Sequence, residues 1–200
     1  KKDDLPQQAR LADPPGVVKA VYATAWSAGS AAKMKYLMEL IDATELNAVV
    51  IDIKDYSGFV SYSTGIGDVQ ASRAEGELRI SRPNKLIKDL HDRGIYVIGR
   101  VSVFQDPVLA KAHPEWAIMS SSTGKLWLDR KGLAWMDPAA RPVWDYNVEI
   151  ARDALERGFD EINFDYIRFP SDGDVRDARY PHWDEKTPMS EIIKDFFAYL

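Results

Sequence analysis

Glu161-Ile162-Asn163-Phe164-Asp165-Tyr166-Ile167-Arg168-Phe169-Pro170 is the stretch that decides how this chain is read. Its apolar residues alternate with Asn163 and Asp165, and the run stops at Pro170 and the turn-forming Ser171-Asp172-Gly173. Period-two alternation puts Asn163 and Asp165 on one face of a strand and Ile162, Phe164 and Tyr166 on the other. A strand that delivers a carboxylate to its C-terminal end needs a reason, because an unpaired buried charge is costly. The reason is either catalysis or a structural ion pair with Arg100 or Arg168.

The rest of the chain repeats the pattern that ends in this strand. Residues 17–24 alternate as a first strand, and Ser30 precedes a helix over 31–44 whose stripe is Met34, Leu37, Met38 and Ile41. Residues 48–55 form a near-continuous apolar run that suits a strand buried on both faces. A connection over 56–82, rich in Gly and Ser, is long enough to have a function of its own. Pro83 opens a helix to 93 with Leu86, Ile87 and Leu90 inward and Gly94 as its stop. A third strand covers 95–104 and an irregular stretch follows, with a short helix near 107–112. Asp137-Pro138 reads as N-cap and first turn of a helix to 157, with Val143, Tyr146, Ile150 and Ala154 on one face and Gly158 closing it. After the opening strand comes a polar loop to 188, and Ser190 caps a last helix over 191–200.

The order is β-α four times over, with long loops after the strands. That predicts an α/β fold with a parallel sheet, and in particular the first four units of a (β/α)8 barrel, which places its active site at the strand C-termini. Residues 1–16 are then an irregular lead-in and 17–200 a barrel domain incomplete at its C-terminal end. The opening Lys1-Lys2-Asp3-Asp4, without Met, reads as a mature segment. A doubly wound nucleotide-binding sheet is the competitor, but the first strand is followed by Ala25-Trp26-Ser27-Ala28-Gly29-Ser30 rather than G-x-G-x-x-G.

Composition removes several function classes. A net charge of −5 with no clustered Lys or Arg gives no footprint for nucleic acid. With zero cysteines there is no disulfide framework and no thiolate chemistry. No apolar run approaches the roughly 18 residues of a membrane span. His91, His113 and His182 are scattered and match no metal-binding spacing, and no cofactor motif or G-x-S-x-G is present, so neither metal nor cofactor is expected.

The charged strand ends carry the chemistry. Asp52 and Lys54 share a face of the second strand, Arg100 ends the third, and Asn163 and Asp165 end the fourth. At one barrel mouth these residues suit glycoside hydrolysis, in which one carboxylate attacks or steadies an oxocarbenium-like centre and a second acid protonates the leaving oxygen. Asp165 and Asp52 are the catalytic candidates, with Arg100 or Lys54 keeping a carboxylate ionised. Tyr22, Trp26, Tyr56, Trp135, Tyr166 and Arg168 are candidates for binding sugar alongside Lys54, Arg100 and Asn163. Individually, each aromatic ring serves loop packing equally well. The competing functional class is a non-catalytic carbohydrate-binding barrel with an aromatic-lined cleft.

Thr24-Ala25-Trp26-Ser27-Ala28-Gly29, Val50-Ile51-Asp52-Ile53-Lys54-Asp55, Gly99-Arg100, Trp135-Met136-Asp137-Pro138 and Phe164-Asp165-Tyr166-Ile167-Arg168-Phe169-Pro170 together resemble the glycoside hydrolase domain family once catalogued as DUF4015. The resemblance runs from about residue 17 to 200. It implies a barrel distantly like that of α-amylase, bacterial, acting on a cell-wall or other extracellular polysaccharide outside the cytoplasm. It also implies that Asp165 sits where such barrels place a catalytic carboxylate. Asn163 stands where the amylase-like pattern has an arginine, and the second catalytic carboxylate is expected from a later strand, beyond Leu200.

Overall fold

The computed structural model describes residues 3–200, leaving Lys1 and Lys2, the start of the expected lead-in, outside the described residues. Four strands form one parallel sheet: β1 (Ala20–Ala23), β2 (Ala48–Lys54), β3 (Tyr96–Ser102) and, later in the chain, β5 (Glu161–Asp165), paired in the order β1-β2-β3-β5. Connections between them run through α1 (Ala25–Ala28), α2 (Ala31–Asp42), α3 (Gly67–Ala71), α4 (Pro83–His91), α5 (Pro107–Ala112) and α6 (Arg141–Arg157). A small antiparallel pair, β4 (Met119–Ser120) with β6 (Ala178–Arg179), is inserted beside the sheet, and α7 (Met189–Tyr199) follows it.

Because the strand order advances without reversal and parallel crossovers are right-handed, the crossover helices lie on one face of the sheet. The burial pattern agrees. Val49, Ile51, Ile53, Val97 and Val101 are fully buried beneath the helices, whereas Tyr22 and Asn163 on the other face are exposed and Val50 is half-covered. The sheet is open: no closed barrel is formed by these strands. All three long loops (55–82, 103–140 and 166–188) leave from the C-terminal ends of β2, β3 and β5.

The helices follow their predicted stripes. Val143, Tyr146, Ile150 and Ala154 of α6 are buried, and Gly158 ends that helix in the left-handed region at φ 109°. Met34 and Ile41 of α2 and Ile87 and Leu90 of α4 are buried likewise. Two expected helix starts are corrected. The helix predicted from Asp137 begins at Arg141, and the last helix begins at Met189 rather than behind Ser190. The fully buried Asp137 carboxylate accepts instead from the backbone N–H groups of Ala139 (2.9 Å), His182 (2.7 Å) and Trp183 (3.1 Å), tying the 181–183 loop to the sheet end.

The lead-in is irregular but anchored. Asp4 accepts from the N–H groups of Asn84 (2.9 Å) and Lys85 (3.0 Å), supplying the side-chain cap that Arg82 does not give α4. Leu11 N–H donates to Asp160 (2.6 Å), which also holds Val97 N–H (2.7 Å) and His91 (2.9 Å).

Candidate active site at the sheet's C-terminal edge

Parallel register puts Asp52 beside Arg100 and Arg100 beside Asn163, so side chains of three strands reach the same spot on the uncovered face. Arg100 is the hub. Its Nη1 donates to Asp52 Oδ1 (2.7 Å), while Nε and Nη2 both donate to Asp165 Oδ2 (2.9 and 2.6 Å). Tyr22, from β1, donates its hydroxyl to Asp52 Oδ2 (2.5 Å). The result is one string of hydrogen bonds across four strands: Tyr22, Asp52, Arg100, Asp165.

The two carboxylates differ in what remains free. The Asp52 side chain is 2% exposed and both its oxygens are occupied, by Tyr22 and by Arg100. Asp165 is 46% exposed and opens onto a cleft of about 550 Å³ lined by Arg100, Phe164, Tyr166, Ile167, Arg168 and Phe197. Its partial burial pushes the carboxyl up, but the Tyr166 N–H and the Arg100 guanidinium outweigh that and hold it below the ordinary carboxylate range. Burial, reinforced by the hydrogen bond to Asp52, pushes the Tyr22 phenol well above its usual value, so it stays protonated and donating.

The backbone contributes as well. Tyr166 sits at φ 54°, in the left-handed region that a residue with a side chain rarely adopts. That turn ends the strand and aims the Tyr166 N–H at Asp165 Oδ1 (2.6 Å). Its ring lies edge-on to Trp135 with centroids 5.9 Å apart, and the Arg168 guanidinium lies 4.8 Å from the centre of the Trp135 ring. Arg168 donates to the Phe169 carbonyl (3.2 Å) and Ser171 Oγ (3.0 Å) and has no carboxylate partner among the described residues.

Two of the expected binding residues are corrected. Lys54 does not share a face with Asp52. A bulge between them pairs Asp52 with Arg100 but Lys54 with Val101, turning Lys54 toward the helices. There it is fully buried, with its ammonium 2.6 Å from Asp106 and 5.3 Å from the Tyr146 ring centre, and burial lowers its pKa. Trp135 is fully buried, its indole N–H committed to Asp129 (3.0 Å), so it offers no ring face to a sugar. Tyr56 is exposed in the loop beyond β2, Trp26 is exposed on α1 beyond β1, and Asn163 is exposed on the open face.

Residues that periodicity did not single out also shape the site. Arg79, in the 55–82 loop, pairs with Asp55 (2.5 Å) and lies beneath Trp26; nothing in its local sequence marks it. Asp106 was readable, because Asp106-Pro107 is a true cap: its side chain accepts from Leu109 N–H (2.8 Å) at the start of α5. Among the described residues no three His, Asp or Glu side chains converge as a metal site, and no helix is long and apolar enough to cross a membrane.

A family model described as "Putative glycosyl hydrolase domain" matches residues 20–200. A hypothetical protein from Ruminiclostridium thermocellum of known crystal structure is 40% identical, with a TM-score of 0.80 over 90% of each chain. A chitobiase from Flavobacterium johnsoniae (15% identity, TM-score 0.56) and a maltogenic α-amylase from Thermotoga neapolitana (18% identity, TM-score 0.50) share the fold over 91% and 74% of this chain. This chain spans only 27% and 38% of those two proteins. No curated protein sequence matches it. The parallel α/β architecture is thus that of barrel-type glycoside hydrolases, and the chain belongs to the glycosyl hydrolase domain family DUF4015.

Proposed function

We propose that this domain hydrolyses O-glycosidic bonds in a bacterial cell-wall or extracellular polysaccharide outside the cytoplasm, with Asp165 as nucleophile or base. The observation that carries the reading is the contrast at Asp165, a carboxylate held ionised by Arg100 and Tyr166 N–H yet open to a cleft. A group that attacks an anomeric carbon, or takes a proton from water, must be both ionised and accessible. Asp52 does not meet the second requirement, because its side chain is buried. With both oxygens occupied it acts as a positioning residue that fixes Arg100, and the proton donor comes from a group outside this string. The uncovered face of the sheet is, in this reading, the inner wall of a (β/α)8 barrel whose other strands bring that acid.

The carbohydrate-binding alternative is favoured by one observation: among the described residues no second carboxyl stands free beside Asp165, since Asp52 is fully committed. The two readings separate in a reducing-end assay over a polysaccharide panel that includes peptidoglycan and amino-sugar exopolysaccharides. The hydrolase reading expects release from at least one polymer. Asp165→Asn should cut that turnover at least about a hundredfold. Its pair with Arg100 is half-exposed, so stability should change by no more than about 1 kcal/mol. Undiminished turnover in Asp165→Asn removes Asp165 from the chemistry. No release from any polymer, with glycan binding retained, selects the binding barrel.

A further inference from the structure

The six tryptophans are not equivalent. Trp127, Trp135 and Trp144 are buried, whereas Trp26 is 66% exposed on α1, just past the end of β1. An isolated exposed ring needs no explanation. What sets Trp26 apart is what lies behind it. The Arg79 guanidinium, 4.9 Å from the ring centre, covers one face, and the Arg79 side chain is itself only 5% exposed. That guanidinium is fixed by Asp55 (2.5 Å), Glu77 (3.0 Å) and Ser57 Oγ (3.4 Å). The turn that carries the ring is fixed too. Thr24 Oγ1 accepts from Ser27 N–H (3.2 Å), and Gly29 packs so tightly on the Arg79 carbonyl that a Cβ there would overlap it. The indole therefore has one face on an immobilised planar cation and the other toward solvent. Little rotamer freedom remains to be lost when a ligand stacks on it.

We propose that Trp26 is a stacking platform for a pyranose unit remote from the reacting bond, with Arg79 as its positioning residue, so that the substrate is an extended neutral sugar chain. The proposal rests on the hydrolase reading only for the place of the reacting bond at Asp165. β1 and β5 are three strand spacings apart, about 14 Å along the sheet. A single ring at Asp165 does not span that distance, and an oligosaccharide does. An acidic sugar is disfavoured by charge: the two carboxylates of Asp55 and Glu77 outnumber the one Arg79 guanidinium, so the platform presents an apolar face and no net cation for such a sugar to meet. Tyr22, on the strand that leads to Trp26, joins Asp52 in the hydrogen-bonded string.

The test uses Asp165→Asn protein and isothermal titration with neutral hexasaccharides of glucose and of N-acetylglucosamine, together with the two free monosaccharides. At least one hexasaccharide should bind, and at least tenfold tighter than its monosaccharide. Trp26→Ala should weaken that hexasaccharide about tenfold, and Trp26→Phe should retain most of the affinity. Arg79→Lys keeps a cation for Asp55 and Glu77 but loses the planar surface. It should weaken binding when Trp26 is present and add nothing to Trp26→Ala, the non-additivity expected of residues acting through one ring. Full affinity in Trp26→Ala, or no binding of either hexasaccharide, overturns the platform, and additive effects overturn the role of Arg79. If Trp26-dependent binding stands while wild-type protein releases no reducing ends, the hydrolase reading fails and the platform survives. If turnover depends on Asp165 while binding ignores Trp26, the reverse holds.

Discussion

Replacing Arg100 by Met removes the cation that bridges Asp52 and Asp165, and its cost can be worked from their burial. Asp52 is almost fully buried and would keep only the Tyr22 hydroxyl as a partner. Leaving a buried carboxylate without its cation typically costs about 3–5 kcal/mol, and the surviving Tyr22 bond argues for the lower end, about 3. Asp165 is nearly half exposed, so solvent screening limits its share to at most about 1 kcal/mol. For a chain of this size the sum, about 3–4 kcal/mol, lowers Tm by roughly 6–16 °C. The sign of the pH dependence follows from Asp165, whose carboxyl is held low in the folded wild type. Stability from that group is present above its unfolded pKa of about 3.9 and is lost as pH falls through the lower folded value. Arg100→Met lacks that contribution from the outset, so the gap between wild type and variant should narrow from pH 7 to about pH 3. Urea unfolding at both pH values measures it. A loss under about 1 kcal/mol at neutral pH, or one that does not change with pH, would falsify the shared-cation account. If the variant retains turnover, the acid limb of its pH profile should move upward, because Asp165 loses the guanidinium that keeps it ionised.

Two further substitutions probe how the scaffold holds this site. Lys54→Met strands the Asp106 carboxylate in the interior and should cost about 3–5 kcal/mol, whereas adding Asp106→Asn should recover most of it, since Asn still caps α5 for Leu109 N–H. Chemical denaturation decides this, and a double variant no more stable than the single one would sink the ion-pair explanation. Asp4→Ala removes the cap that the lead-in gives α4 and should cost about 1 kcal/mol. That is about 2–4 °C in Tm, and an unchanged melting curve would show that the cap is idle.

What could be read from the sequence, and what could not, divides along local versus tertiary causes. The α6 stripe and its closing Gly158 are local, set by helical spacing and a left-handed cap, and the structure places them as read. The convergence of Asp52, Arg100 and Asp165 was legible because strand-end position in a β-α repeat is itself a topological statement. Lys54 was misplaced because one inserted residue at a bulge inverts a period-two pattern, and no residue type between Asp52 and Lys54 announces it. Asp-Pro caps α5 at Asp106, but the cap read at Asp137 fails, because the competing use of that carboxylate, tying residues 182 and 183, comes from 45 positions away. Arg79 and Trp135 depended on the path of long loops, which periodicity does not address. Whether an aromatic ring in such a loop faces solvent or core is decided by its tertiary neighbours.

The left-handed backbone at Tyr166 has a consequence for how this domain can be engineered. A residue with a Cβ in that conformation gives up about 1–2 kcal/mol relative to glycine. Glycine would keep the N–H that holds Asp165 and relieve the strain, but it would delete the ring that walls the cleft beside Arg168. Heat resistance and cleft shape therefore pull this position in opposite directions. Selection for thermal tolerance alone would drift toward a sturdier protein with a less defined pocket. Pairing that selection with a carbohydrate-binding screen would keep the two demands in view together.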